Sequence, residues 1–78
     1  MREVTLYTRD GCSLCEKAKA VILAVRKEVD FQFREVDIGW SGDLYEDHKH
    51  DIPVIEIDGK RAFKHRVDPA ALKERLSS

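Results

Sequence analysis

The chain has 78 residues, 42% of them apolar and 37% charged, with 14 basic residues against 15 acidic ones. That length holds one domain spanning 1–78, and that balance describes an ordinary soluble globule rather than a disordered tail. A net charge of −1 draws neither nucleic acid nor an anionic membrane, and no basic stripe with interleaved aromatics marks an RNA-binding surface. No apolar run reaches membrane-spanning length and no tripartite secretory signal opens the chain, so a cytoplasmic location is expected. Two cysteines are too few for the disulfide scaffold of a secreted mini-protein. Three positions apart, they read as a working pair.

Val4–Thr8 is short, β-branched and aromatic, which predicts a strand. From Ser13 to about Glu28, the residues Leu14, Ala18, Val21, Ile22, Val25 and Val29 recur at spacings of three and four, one face of an amphipathic helix. Phe31–Asp37 alternates at its start, Phe31 and Phe33 against Gln32 and Arg34, as a strand with one wet face near a sheet edge does. The signal weakens over Trp40–Asp51. Ser41 or Asp43 is placed to cap a short helix carrying Leu44, Tyr45 and His48, although Gly39 and Gly42 count against it.

Val54–Ile57 reads as a buried strand, and Asp58-Gly59 as a two-residue hairpin turn into a return strand near Arg61–Lys64. Asp68-Pro69 is a helix start, with Asp as the cap and Pro at the first helical position. Val67 and Leu72 fall at the staple positions that fix such a start, and Leu76 extends the apolar face. The order is β-α-β-α-β-β-α. It implies an α/β mixed four-stranded sheet flanked by helices, the first two strands parallel through a right-handed crossover and the last two antiparallel.

Cys12-Ser13-Leu14-Cys15 lies where the first strand hands over to the first helix. The free N–H groups and macrodipole of a helix start stabilise a thiolate, so the thiol pKa falls and the nucleophile is populated near neutral pH. Cys12 occupies that edge, while Cys15, one turn further in, is more buried. Residues i and i+3 share a face, so the two sulfurs can reach bonding distance. Cys12 then attacks a substrate disulfide, and Cys15 resolves the mixed disulfide. Arg9 adds positive potential, and Glu16 partly opposes it.

A lone CxxC is also half of a zinc site, but zinc takes four ligands. The remaining candidates, His48, His50 and His65, do not fall at the usual spacings. As side chains they read as solvated surface groups, and Trp40 reads as a packing residue.

These residues together resemble a glutaredoxin over nearly the whole chain. The marks are Leu6-Tyr7-Thr8-Arg9 leading into Cys12-Ser13-Leu14-Cys15, then Ile52-Pro53-Val54 and Asp58-Gly59. More narrowly, the chain is similar to bacterial glutaredoxin-like proteins with a C-x-L-C motif followed by an E/K-A-K stretch, here Glu16-Lys17-Ala18-Lys19. Glu35-Val36-Asp37 and the spacing from Tyr45 to Ile52-Pro53-Val54 fit the same group. The resemblance implies a thioredoxin-like (glutaredoxin) fold and a cis Ile52–Pro53 bond, which base rates alone would make trans. It implies that Ile52 and Pro53 offer main-chain hydrogen bonds to an extended substrate, a form of strand addition. It also implies that Arg9 matches a basic residue contacting a glutathione carboxylate.

Two departures accompany it. Ser-Leu replaces the usual Pro-Tyr between the cysteines, and Phe63-Lys64-His65-Arg66 stands where a Gly-Gly pair and an acidic residue bind the γ-glutamyl end of glutathione. Asp68 is better explained as a helix cap than as a ligand of that amine.

The expected function is that of a monomeric thiol–disulfide oxidoreductase. Cys12 and Cys15 are its catalytic pair, Arg9, Ile52 and Pro53 bind substrate, and no metal or cofactor is bound. Its substrate is a disulfide-containing protein or glutathione, and its reductant is glutathione or a flavin-dependent reductase. The missing glycine pair weighs against glutathione. The alternative is a binding module on the same fold. It would carry zinc or an iron–sulfur cluster bridged between two chains, or act as a non-catalytic adaptor recognising partners through the Ile52–Val54 edge.

Overall fold

The computed structural model describes residues 1–77, which form β1 (Glu3–Thr8), α1 (Ser13–Arg26), β2 (Gln32–Asp37), α2 (Asp43–His48), β3 (Val54–Ile57), β4 (Lys60–Lys64) and α3 (Pro69–Ser77). The element order is the one the residue pattern predicts. The strands lie in the order β2-β1-β3-β4, with β1 parallel to β2 and antiparallel to β3, and β4 antiparallel to β3. β2 is an edge strand, which accounts for the wet face of its alternation.

Strand periodicity sorts side chains onto two faces. Val4, Leu6, Ile55 and Ile57 point to one face and join Ala18, Ile22 and Val25 of α1 and Leu72 and Leu76 of α3 in the hydrophobic core. Thr5, Tyr7 and Glu56 point to the other, where His48 of α2 stacks on Tyr7 with ring centroids 4.5 Å apart. The Tyr7 hydroxyl donates to Glu56 Oε1 at 3.2 Å. Burial and the neighbouring carboxylate both disfavour the phenolate, raising the Tyr7 pKa above its ordinary value.

The turns follow from local chemistry. Asp58 and Gly59 both adopt positive φ, 52° and 82°, as the tight turn that matches strand twist requires. Asp58 also accepts the Glu3 N–H on its Oδ1 at 2.9 Å, tying the hairpin to the start of β1. At α3 the Asp68 Oδ2 accepts the Ala71 N–H at 3.0 Å, while Val67 and Leu72 are buried beside this cap.

Two local expectations are corrected. α1 stops at Arg26 rather than near Glu28, because the Glu28 and Val29 N–H groups both turn back to the Val25 carbonyl. α2 is capped by neither Ser41 nor Asp43; its N-cap is Gly42, with φ 99° and ψ −179° and no side-chain cap hydrogen bond. That backbone region is open essentially to glycine alone, so the glycine counted against the helix is what starts it. Among the described residues no helix is long and apolar enough to cross a membrane.

Replacing Leu72 by Ala removes a fully buried side chain that joins α3 to the core, and should lower unfolding free energy in urea by about 3 kcal/mol. Asp68→Ala should cost about 1 kcal/mol through loss of the cap. An unchanged midpoint for Leu72→Ala would contradict this packing.

Candidate active site

β1 ends at Thr8, and the three residues Arg9-Asp10-Gly11 carry the chain to Cys12 at the start of α1. Cys12 is the N-cap of that helix, with extended backbone (φ −95°, ψ 105°). Its sulfur accepts the Cys15 N–H at 3.2 Å, a place usually taken by a Ser, Thr or Asp oxygen. The first N–H groups of a helix have no carbonyl partner, and here the sulfur answers one of them.

Cys12 and Cys15 are paired as a disulfide with Cα atoms 5.2 Å apart. Cys12 is partly exposed, whereas Cys15 lies against the core with 2% of its surface accessible. The pair therefore presents one reachable sulfur and one protected sulfur. The reachable sulfur is the one at the helix start, beside N–H groups that have no carbonyl partner.

The Arg9 guanidinium lies over the Trp40 ring at 4.1 Å and near the Tyr45 ring at 5.8 Å, and the Lys49 ammonium approaches that same tyrosine at 5.4 Å. The Arg9 Nε is buried with no hydrogen-bond partner among the described residues. Trp40 is 67% exposed, which corrects the reading of it as a packing residue. Its ring rests on a cation that is remote in the chain, a contact that no local pattern signals. His48, stacked on Tyr7 and 3.4 Å from Arg61, is likewise more than a solvated side chain.

The Ile52–Pro53 bond is cis, as the family resemblance implies and base rates alone do not. Val54 pairs with Tyr7 near the end of β1, which brings Pro53 to the same end of the sheet as Arg9 and Cys12. Pro53 is buried and its carbonyl accepts the His65 N–H at 2.8 Å. The Ile52 N–H donates to the His48 carbonyl at 3.1 Å. His65 takes a left-handed φ of 70°, and its Nε2 meets the His50 carbonyl at 3.0 Å. Among the described residues no group of three or more His, Cys, Asp or Glu is disposed to hold a metal ion.

Residues 3–77 match the model of the family described as Glutaredoxin-like domain (DUF836). The chain belongs to this glutaredoxin-like family. The Glutaredoxin-like protein YDR286C homolog of Dictyostelium discoideum is 39% identical over 71 residues, covering 83% of this chain and 66% of that protein. The chain thus spans just under two thirds of that relative's length.

Among solved structures, the protein Ne2328 from Nitrosomonas europaea superimposes with a TM-score of 0.81 at 23% identity, covering 96% of this chain and 91% of its own. The X. campestris protein XcR50 gives 0.79 at 27% identity, with 95% of each chain covered. A point-mutant thioredoxin from Halobacterium salinarum gives 0.72 at 17% identity, covering 97% of this chain and 72% of its own, a likeness of fold. The thioredoxin-like fold is thereby established, and the glutaredoxin-like chain keeps its cysteine pair at the strand-to-helix junction of that fold.

The exposure difference between the two sulfurs has a direct readout. In the reduced protein, brief iodoacetamide treatment at neutral pH should label Cys12 before Cys15. Equal labelling of both cysteines, resolved by peptide mass, would contradict the geometry.

Proposed function

We propose that this glutaredoxin-like protein is a thiol–disulfide oxidoreductase that reduces disulfides through Cys12 and Cys15. The observation that carries this reading is the sulfur of Cys12 at the helix N-cap, accepting the Cys15 N–H while Cys15 stays buried behind it. The Cys12 thiolate attacks one sulfur of R–S–S–R′ and expels R′–S⁻, which takes a proton from water. Cys15, having lost its proton, attacks the Cys12 sulfur and releases R–SH. Two electrons pass from the two thiols to the substrate, and the protein is left with the Cys12–Cys15 disulfide.

Arg9 offers a guanidinium to a substrate carboxylate at the mouth of the site, steadied over Trp40. The Ile52 carbonyl and the buried Pro53 give the substrate main chain an edge to lie against. Two electron donors fit the chemistry, glutathione and a flavin-dependent reductase. His65 occupies a backbone conformation that glycine takes most easily, in the stretch where the resembling family carries its Gly-Gly pair. That favours the reductase, and a reducing cytoplasm suits either donor.

In an assay coupled to reduction of a model disulfide, Cys12→Ser should fall to the uncatalysed background. Cys15→Ser should accumulate a mixed disulfide visible by intact mass. Full turnover by Cys12→Ser would overturn the assignment.

A further inference from the structure

The surface on either side of the cysteine motif differs in charge. On one side a groove of about 250 Å³ runs along α1, with Leu14, Lys17, Ala18 and Val21 facing His65 and Arg66 of the loop before α3. The four helix residues fall on one stripe by their spacing, so the groove starts within the motif itself, at a Leu14 that is 44% exposed. No carboxylate lines it. His65 has Asp51 at 4.0 Å, but the side chains of Lys17 and Arg66 make no hydrogen bond or ion pair among the described residues. An apolar floor thus carries two cations free to meet a ligand.

On the other side, a cleft of about 340 Å³ is bordered by Asp10, Glu16, Glu35 and Asp37. Its two cations are outnumbered: Lys19 is paired with Glu35 at 3.1 Å, which leaves Arg9, over Trp40, as the charge at the mouth of the site. Carboxylates dominate there.

We infer that the groove is the docking site for a protein segment in which an apolar side chain and a carboxylate lie a few residues from the reacting cysteine. The inference rests on the dithiol reading and names its substrate class. Leu14, Ala18 and Val21 take the apolar side chain, and Lys17 and Arg66 take the carboxylate. The body of the cleft across α1 holds four carboxylates, so the segment's acidic side chain is drawn to the Lys17 and Arg66 side of the helix, and this fixes which way the segment runs. Glutathione supplies carboxylates but no apolar side chain for the floor, so a protein segment satisfies both halves of the groove.

The test uses the reduced protein and short peptides whose single cysteine is blocked as a mixed disulfide with thionitrobenzoate. Cys12 attacks the peptide sulfur and expels coloured thionitrobenzoate; Cys15 then releases the peptide thiol, so each protein dithiol reduces one mixed disulfide. Leu and Glu are placed three and four residues from the cysteine, before it in one peptide and after it in another. Matched peptides carry Lys for Glu, and the glutathione–thionitrobenzoate disulfide is run alongside.

One of the two acidic peptides should react about fivefold faster than its Lys match at low salt, the scale of two exposed ion pairs. That preference should vanish in the Lys17→Glu/Arg66→Glu double variant and shrink at high salt. Equal rates for Glu and Lys peptides, or a glutathione disulfide reacting as fast as the best peptide, would overturn the groove assignment alone. No release of thionitrobenzoate from any substrate would instead overturn the dithiol reading beneath it.

Discussion

The chemistry at this end of the molecule depends on β1 being paired on both sides. Its inward residues Val4 and Leu6 are completely buried, and β2 and β3 fix its register by hydrogen bonds along both edges. Each buried aliphatic side chain of this size contributes about 2 kcal/mol relative to exposure, so the strand is anchored at its middle and delivers its end to a fixed place. From that end, a short connection reaches α1, whose own inward face of Cys15, Ala18, Ile22 and Val25 is pressed onto the same sheet. Cys12 is thereby held at the first unsatisfied N–H groups of the helix. Its environment is set by backbone rather than by a mobile charged side chain.

The charged groups around the pair act more weakly. The ion pairs of the surface, such as Lys19 with Glu35 and Lys73 with Glu28, join side chains that are well exposed, and such pairs contribute about 0–1 kcal/mol each. Arg9 is held differently, by stacking on Trp40 and proximity to Tyr45, a contact worth roughly 0.5–1 kcal/mol at an exposed site. That is enough to position a guanidinium beside the motif but not to organise the fold. The long side chains near Cys12 therefore add little to the stability of this end of the molecule, and the place of the sulfur is set by the helix start.

Most of the architecture is legible in the residues because its signals are local. The alternation at Phe31–Arg34, the Asp58-Gly59 turn and the Asp68 cap each act within a few positions, and each appears where the pattern places it. The closeness of Cys12 and Cys15 is legible from their location between a strand and a helix as much as from their spacing. What escapes is tertiary or unusual in backbone. Gly42 starts α2 through a conformation that sequence rules count against a helix. Trp40 reads wrongly because its partner, Arg9, is remote in sequence. The cis Ile52–Pro53 bond follows from the family resemblance and not from residue preferences. Engagement of the Ile52 N–H by His48 depends on the turn between α2 and β3, which no motif describes.

The most direct measurement is a glutathione redox titration of the purified protein, quenched by alkylation and read by intact mass. A dithiol centre requires Cys12 and Cys15 to titrate together, passing reversibly between two alkylated thiols and one internal disulfide in a two-electron step. If the two thiols are alkylated across the whole range, or each takes up glutathione independently without an internal disulfide, the pair is not a redox couple and the functional reading fails.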